Sequence, residues 1–268
     1  MPAVTDGSIY FYGVIRGDHA GPLAGLTAIG GQGEVFGMSY RELTVVVSEA
    51  TAERYEVSRA NVLGHEAVVS SLMADYTLLP GRFGSVRKKD SIIEELLVPY
   101  YEPLLEQLTR VDGKVEVSLI VRWASIQPAV AEIVAADPWL RNARRRLQIA
   151  KASQNMKLDV GKRIEQALAA KRFEEAAAIV FALKAFTPPD GVHLNEPGEE
   201  AKVLDGAFLI TRDSVQEFTE AVTDYDAQFG GRYLMSIGAP AAPYGFVPSL
   251  EASIPRQSRP RRRDRVRR

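Results

Sequence analysis

Few residues of this chain have the types and spacing that catalysis or metal binding requires. His19, His65 and His193 fall in different predicted elements, and no two of them have the spacing of metal ligands on one helix. The 268 residues include no cysteine, which excludes disulfides, thiolate nucleophiles and cysteine-based metal sites together. His65 lies on a predicted helix, where a place on the polar face or at a hydrogen-bonded edge of the core is favoured over a catalytic role.

Two short motifs share the spacing of known chemical signatures but lack the structural context. Ser85 and Lys88 match Ser-x-x-Lys, which needs a helix, yet the next helix is predicted to begin only at Asp90. The run Gly30–Gly33 precedes no helix, and the third glycine of a dinucleotide fingerprint would have to replace Phe36. We therefore predict no catalytic residue, no cofactor and no metal, and expect that the protein is not an enzyme.

The densest cluster of charge is at the C-terminus. Residues 256–268 hold eight arginines and one aspartate, which leaves 25 basic and 33 acidic side chains in residues 1–255. Eight arginines can contact phosphates, but no aromatic residue is interleaved among them for base stacking. A solvated or partner-binding tail is favoured, and nucleic-acid binding stays an alternative.

The stretch Leu78–Val86 is predicted to organise the N-terminal half of the chain. Pro80 cannot continue a preceding helix, and glycines on both sides of Arg82 and Phe83 allow unusual backbone angles or close approach. We expect the stretch to be a strand whose Arg82 and Phe83 side chains point to opposite faces. One face would enter a core while the other reaches a partner, so Arg82 and Phe83 are candidate partner-binding residues.

Apolar periodicity predicts an N-terminal α+β domain, residues 1–111. Strands are expected at 8–15 and 43–48, with a loop at 17–25. Two amphipathic helices are expected, one through residues 58–75 and one through residues 90–109, where Pro99 and Pro103 can introduce kinks.

A second domain, residues 112–239, is predicted to have the order strand, helices, strand, strand, helix, strand. The predicted strands are 114–123, 192–194, 201–212 and 232–237; the predicted helices are 125–136, 137–146, 156–186 and one capped by Asp213 that ends at Phe229. This is a ferredoxin-like βαββαβ arrangement with extra helices in the first crossover. The predicted fold class is therefore α+β with two domains.

An extended C-terminal segment, residues 240–268, completes the predicted organisation. Its prolines exclude a central strand, and it ends in the basic, disordered Arg-rich tail. Tyr244 and Phe246 both occupy even positions, so in an extended chain they share one face. They are candidate inter-domain residues.

Several markers, in their order along the chain, resemble the gas vesicle protein F/L family (GvpF and GvpL). They are Tyr10-Phe11-Tyr12-Gly13-Val14, Ile29-Gly30-Gly31, Leu79-Pro80-Gly81-Arg82-Phe83-Gly84, Ala207-Phe208-Leu209, Gly231-Arg232 and Pro243-Tyr244-Gly245-Phe246-Val247. The family's common Pro-Pro-Tyr-Ser-Phe-Val is replaced by Ala242-Pro243-Tyr244-Gly245-Phe246-Val247 here. The resemblance implies two α+β domains, the second ferredoxin-like, with a C-terminal segment between them.

The resemblance also implies a non-enzymatic accessory protein of the gas vesicle. Such a protein would act in vesicle assembly or structure, in the cytoplasm, with the apolar shell subunit and other accessory proteins as partners. No apolar run is long enough for a membrane span, and the N-terminus has no secretory pattern. A helper for an apolar subunit should offer an apolar groove or a strand edge, and the two amphipathic helices and the strand after Pro80 are the candidates. The alternative is a ferredoxin-like, small-molecule-binding regulatory module.

Overall fold

The chain forms two compact units, each built on one antiparallel sheet. The computed structural model describes residues 7–149, 153–196 and 198–247, and the predicted Arg-rich tail lies outside them. One unit ends at Asp112 and also includes Val247, whereas the other spans Gly113–Phe246. We refer to them as the first and second units.

The first unit has a six-stranded sheet with helices packed on it. Its strands are β1 (Ser8–Arg16), β2 (Gly21–Thr27), β3 (Glu34–Tyr40), β4 (Leu43–Glu49), β5 (Leu78–Pro80) and β6 (Val86–Lys88). Its helices are α1 (Arg59–Asp75) and α2 (Tyr101–Val111), with a π-helical turn at Ile93–Leu97. The strand order is β2-β3-β4-β1-β5, and β6 also pairs with β1.

Strand β1 is the centre of this sheet. Its apolar and aromatic run is buried on both faces, as the β-branched and aromatic sequence predicts. The ladder with β4 is interrupted by a bulge between Phe11 and Gly13. On the other side, β5 pairs with the end of β1 and β6 pairs with its start, so residues 81–85 span the gap opposite the bulge.

The prediction of one strand through Leu78–Val86 was wrong. The stretch forms two three-residue strands joined by a loop at 81–85. The Gly81 amide donates to the Tyr12 carbonyl oxygen at 2.7 Å, and the Phe11 amide donates to the Ser85 carbonyl oxygen at 2.9 Å. Because the backbone turns between these two bonds, Arg82 and Phe83 do not lie on opposite faces of a strand.

Two further elements of the first unit differ from the sequence expectation. Strand β2 falls largely in the predicted loop, because an edge strand rich in glycine carries little apolar pattern. The predicted helix through residues 90–109 is interrupted, since Pro99 has no amide hydrogen to continue it. Pro103 lies in the first turn of α2, where no amide is needed.

The second unit has a four-stranded sheet in the order β10-β7-β9-β8. Its strands are β7 (Lys114–Trp123), β8 (Val192–Leu194), β9 (Lys202–Thr211) and β10 (Tyr233–Ile237), and its helices are α3 (Ile126–Ala136), α4 (Pro138–Ile149), α5 (Gln154–Leu183) and α6 (Val215–Gln228). Helices α3, α4 and α5 all follow β7 and precede β8. The predicted cap Asp213 was wrong, because Arg212–Ser214 forms a 3₁₀ turn and α6 begins after it.

Side-chain caps fix where the inserted helices begin. The Ser125 hydroxyl accepts a hydrogen bond from the Gln127 amide, and the Ser153 hydroxyl accepts one from the Met156 amide. One Asp137 carboxylate oxygen accepts the amides of Trp139 and Leu140 at the start of α4. No helix among the described residues is both long enough and apolar enough to span a bilayer.

We predict that Gly81→Ala lowers the free energy of unfolding by about 2 kcal/mol, because overpacking a buried site costs that order of magnitude. A Cβ at residue 81 would lie 2.7 Å from the Phe11 ring and 3.1 Å from the Phe11 carbonyl oxygen. Urea unfolding measures the change. The control is Gly161→Ala in α5, where a Cβ meets nothing within 4 Å and helix propensity raises stability by up to about 1 kcal/mol. Equal stability of Gly81→Ala and the parent would contradict the close approach.

Candidate functional site

The loop at 81–85 is held by a buried hydrogen-bond relay. The Gly84 amide donates to the Tyr10 hydroxyl oxygen at 2.9 Å, and that oxygen lies 3.0 Å from Nδ1 of His65. Since the Tyr10 oxygen accepts from Gly84, its own proton can be donated to the His65 ring. His65 is fully buried and hydrogen-bonded, so of the two places that the sequence allowed, the polar face was wrong and the core describes it.

Burial sets the protonation state of this relay. Burial lowers the pKa of His65 to about 4, although a hydrogen bond with the Gly81 backbone acts in the opposite direction. Burial likewise raises the pKa of Tyr10 above its ordinary value. Both side chains are therefore neutral near pH 7, and the relay is a chain of uncharged hydrogen bonds.

Of the two candidate residues in this loop, Phe83 faces inward and Arg82 faces solvent. The Phe83 ring packs edge-on against His65, with ring centroids 5.9 Å apart. His65 also stacks on Tyr12 at 5.8 Å, so Phe83 covers a cluster of aromatic rings and is only partly accessible. Arg82 is exposed.

The other two candidates, Tyr244 and Phe246, belong to the second unit. Residues 244–246 form a turn rather than the predicted extended segment, since the Phe246 amide donates to the Pro243 carbonyl oxygen at 3.1 Å. Phe246 is buried and Tyr244 is partly buried. The Gly245 amide donates to the Glu116 carboxylate on β7 at 2.6 Å, and burial raises the pKa of Glu116.

A polar network joins four elements of the second unit around Glu175. Its carboxylate accepts hydrogen bonds from the Trp123 indole at 2.7 Å, from the Tyr233 hydroxyl at 2.9 Å and from Arg232. Arg232 also donates two hydrogen bonds to Glu132, and Lys171 lies 2.6 Å from the same carboxylate. Strands β7 and β10 are thereby tied to α3 and α5.

Two carboxylates and two cations balance one another in this network. Burial by itself would raise the pKa of Glu175, but hydrogen bonds from Arg232, Trp123 and Tyr233 hold it below its usual value. Hydrogen bonds from Arg232 and Lys171 lower the pKa of Glu132 to about 2. Lys171, 3.5 Å from Glu175, has the i, i+4 spacing of a helical pair. Trp123, Arg232 and Tyr233 are 52 to 58 residues away along the chain, so helical spacing does not reveal them.

A groove of about 1000 Å³ runs between α5 and the β8–β9 hairpin of the second unit. Ile164, Leu168 and Val203 contribute apolar lining. Two further apolar side chains at the groove are largely exposed, Phe173 at 77% and Leu194 at 51%. Sequence reasoning missed this groove, although the acidic run between β8 and β9 was a signal for it.

Comparison with known proteins identifies the family. The family model described as "Gas vesicle synthesis protein GvpL/GvpF" matches residues 8–248. Gas vesicle protein F of Dolichospermum flosaquae is 31% identical over 209 residues, which is 77% of this chain and 84% of that protein. Gas vesicle protein L of a Streptomyces species is 28% identical over 198 residues, covering 71% of this chain and 70% of that protein.

Solved structures agree with the sequence comparison. The crystal structure of gas vesicle protein GvpF from Anabaena sp. PCC7120 has a TM-score of 0.80 and 26% identity, covering 91% of this chain and 99% of that one. GvpF from Microcystis aeruginosa has a TM-score of 0.72 and 26% identity, covering 90% and 98%. This α+β molecule is of the gas vesicle protein class. The chain belongs to the GvpL/GvpF family, as the resemblance of its markers predicted, and this membership supports an accessory role in gas vesicles.

We predict that His65 makes stability depend on pH between 4 and 6.5. The pKa of His65 is about 4 in the folded chain, against an ordinary value of 6.5. The unfolded chain therefore binds a proton first as the pH falls. The stabilisation is complete above pH 6.5 and lost toward pH 4, by roughly 3 kcal/mol. Urea unfolding across this range should show a shallower slope for His65→Phe than for the parent; parallel slopes would contradict the prediction.

We predict that Glu175→Gln lowers the free energy of unfolding by about 2 kcal/mol, since hydrogen bonds to a buried charged group are worth that order. The amide keeps the shape but removes the charge that Arg232 faces. Thermal unfolding at pH 7 measures the effect. Glu174→Gln is the matched control, because its side chain is exposed on the same helix turn and should change stability by less than about 0.5 kcal/mol. Equal effects of the two substitutions would argue against the network.

Proposed function

We propose that this protein acts in gas vesicle assembly as a non-enzymatic accessory protein that binds the apolar shell subunit and other accessory proteins in the cytoplasm. One observation carries the proposal: the family model covers residues 8–248, nearly the whole described chain. The match of GvpF over 91% of the chain supports it, because both units, and not an isolated module, correspond to a gas vesicle protein.

Action by binding rather than by bond-making fits the chemistry of the ionisable groups. The densest cluster, around Glu175 and Arg232, is charge-balanced, and its carboxylates already accept several hydrogen bonds. The buried His65 and Tyr10 hold a loop in place rather than facing a groove. Hydrogen bonds and ion pairs that support the fold therefore explain the positions of these ionisable groups.

The C-terminal half of α5 offers a surface suited to an apolar partner. Phe181 is 78% exposed. The small apolar residues around it are exposed as well: Ala177, Ala178 and Ala182 on the helix, and Ala185 in the 3₁₀ turn Lys184–Phe186 that follows it. We call these five residues the Phe181 patch. Small side chains let another helix approach closely, and the phenyl ring supplies most of the area that would be buried.

The loop residues Arg82 and Phe83 are proposed as a second contact, in the first unit. Arg82 is exposed and has a rigid base, because the loop is bonded at both ends to β1. The Phe83 ring packs against the buried His65 ring. Removal of Phe83 would therefore disturb the core as well as any binding of a partner. Arg82 is therefore the better residue to test. Tyr244 and Phe246 are proposed as further partner-binding residues, in the second unit.

We also propose that the second unit is a modified ferredoxin-like domain. The strand order β10-β7-β9-β8, antiparallel throughout, corresponds to the fourth, first, third and second strands of a βαββαβ unit. Helices α3 to α5 would then be the enlarged first crossover. The domain limits 1–111, 112–239 and 240–268 remain a proposal; the compact second unit extends to Phe246.

We predict that Phe181→Ser reduces the amount of shell subunit that co-purifies with this protein by about tenfold, which is the loss expected from one large buried anchor of about 1.4 kcal/mol. Co-expression and affinity purification measure it, with Arg82→Glu as a separate arm. The control is Val57→Ser, which removes an apolar side chain that is 86% exposed in the first unit. Unchanged melting temperatures would show that each variant folds.

The possible outcomes test the proposed binding function and the proposed contact surfaces separately. If the parent chain retains no shell subunit, the binding function is wrong. If the parent binds and both Phe181→Ser and Arg82→Glu bind equally well, the function stands and both proposed contacts are wrong.

A further inference from the structure

The groove beside α5 is strongly acidic for its size. Five carboxylates line it, and Arg172 supplies the single lining cation, for a formal charge of −4; the carboxylates belong to Glu165, Glu196, Glu199, Glu200 and Asp205. Arg172 is itself held by the carbonyl oxygens of Glu199 and Glu200, at 3.2 and 3.4 Å. It anchors the β8–β9 connection through these backbone oxygens.

Three of the five carboxylates have no ion pair within the part of the chain that the structure describes. Glu199 pairs with Arg122 at 3.2 Å, and Asp205 pairs with Lys202 at 2.8 Å. Glu165, Glu196 and Glu200 have no such partner there and are exposed. Together with the exposed Phe173 and Leu194, they favour an occupant that is both basic and partly apolar.

The chain itself contains a segment of that chemistry. Residues 248–268 hold eight arginines, two acidic residues and the apolar residues Leu250, Ile254 and Val266. The formal charge of +6 is opposite in sign to that of the groove and of similar size. Guanidinium groups also bind carboxylates through paired hydrogen bonds, which a lysine cannot reproduce.

The segment is long enough to reach the groove from Phe246, the last residue of the second unit. The second unit ends at Phe246, and the 21 residues after Val247 can span up to about 70 Å when extended. A unit of 134 residues has a radius of gyration of about 14 Å, so half its circumference is roughly 57 Å. The C-terminal end of the segment can therefore reach any part of that surface.

We infer that the acidic groove between α5 and the β8–β9 hairpin binds the Arg-rich C-terminal segment of the same chain. The arginines contact Glu165, Glu196 and Glu200, while apolar residues of the segment cover Phe173 and Leu194. The contact weakens with salt, because these carboxylates are exposed and their field is screened. The bound segment is also withheld from phosphates, so the two kinds of binding compete.

The absence of cysteine makes a disulfide trap specific. Ala169→Cys, which lies in the groove, is combined with Ser258→Cys in the otherwise intact chain. Under mild oxidation, the cross-linked monomer should form about tenfold faster than in the control pair of Ala178→Cys and Ser258→Cys, because bound segment raises the local concentration. Ala178 is equally exposed on α5 but lies outside the groove.

Charge variants of the double-cysteine chain test whether the groove carboxylates attract the segment. Glu165→Gln with Glu200→Gln should slow trapping by about tenfold, the effect of two rim charges of about 0.7 kcal/mol each. Glu174→Gln with Glu217→Gln removes two exposed carboxylates outside the groove and should leave the rate unchanged. About 0.5 M NaCl, where the Debye length is only about 4 Å, should slow trapping in the parent.

Three results would overturn the inference. Equal trapping rates at residues 169 and 178 would show that the groove does not select the segment. Cross-linked dimers in place of monomers would assign the groove to the segment of a second copy. Equal binding of a short DNA duplex by the parent and by the double glutamine variant would show that the groove does not withhold the arginines from phosphate.

Discussion

The close approach of the backbones around β1 is the constraint on which the first unit depends. A side chain at Gly13 would place its Cβ 2.5 Å from the Leu79 carbonyl oxygen. Strands can approach this closely only where side chains are absent. The bulge in β1 and the loop at 81–85 fit each other at this point, and the loop in turn positions Phe83 over His65. The exposure of Arg82 therefore follows from the contacts that hold the loop on β1.

Helix α5 of the second unit contacts several different environments along its length. Leu168, Ile179 and Leu183 of α5 enter the core, and Glu175 enters a buried polar network. The middle of the helix, residues 161–176, borders an acidic groove, and the Phe181 patch is exposed at its C-terminal end. A helix with so many different neighbours has no single apolar stripe.

Sequence patterns revealed the elements whose burial is regular and missed those set by distant contacts. β1 and β4 have continuous apolar runs, and α3, α4 and α6 have helical apolar periods, which a local window detects. β2 is an exposed edge, and the loop at 81–85 depends on a bulge in another strand, so neither has a local signature. Among the candidate residues, the exposure of Arg82 could be guessed, but the packing of Phe83 on the buried His65 ring could not. The partners of Glu175 come from β7 and β10, beyond the range of helical spacing.

The backbone of the outer strand β2 disfavours pairing with a further strand at its free edge. It pairs with β3 on one side only, and Pro22 has no amide hydrogen with which to bind an incoming strand. Gly21 and Gly25 have positive φ angles, 104° and 81°, which disturb the straight edge that another strand would need. This end of the sheet is therefore a poor template for an added strand, and it resists recruitment into cross-β aggregates.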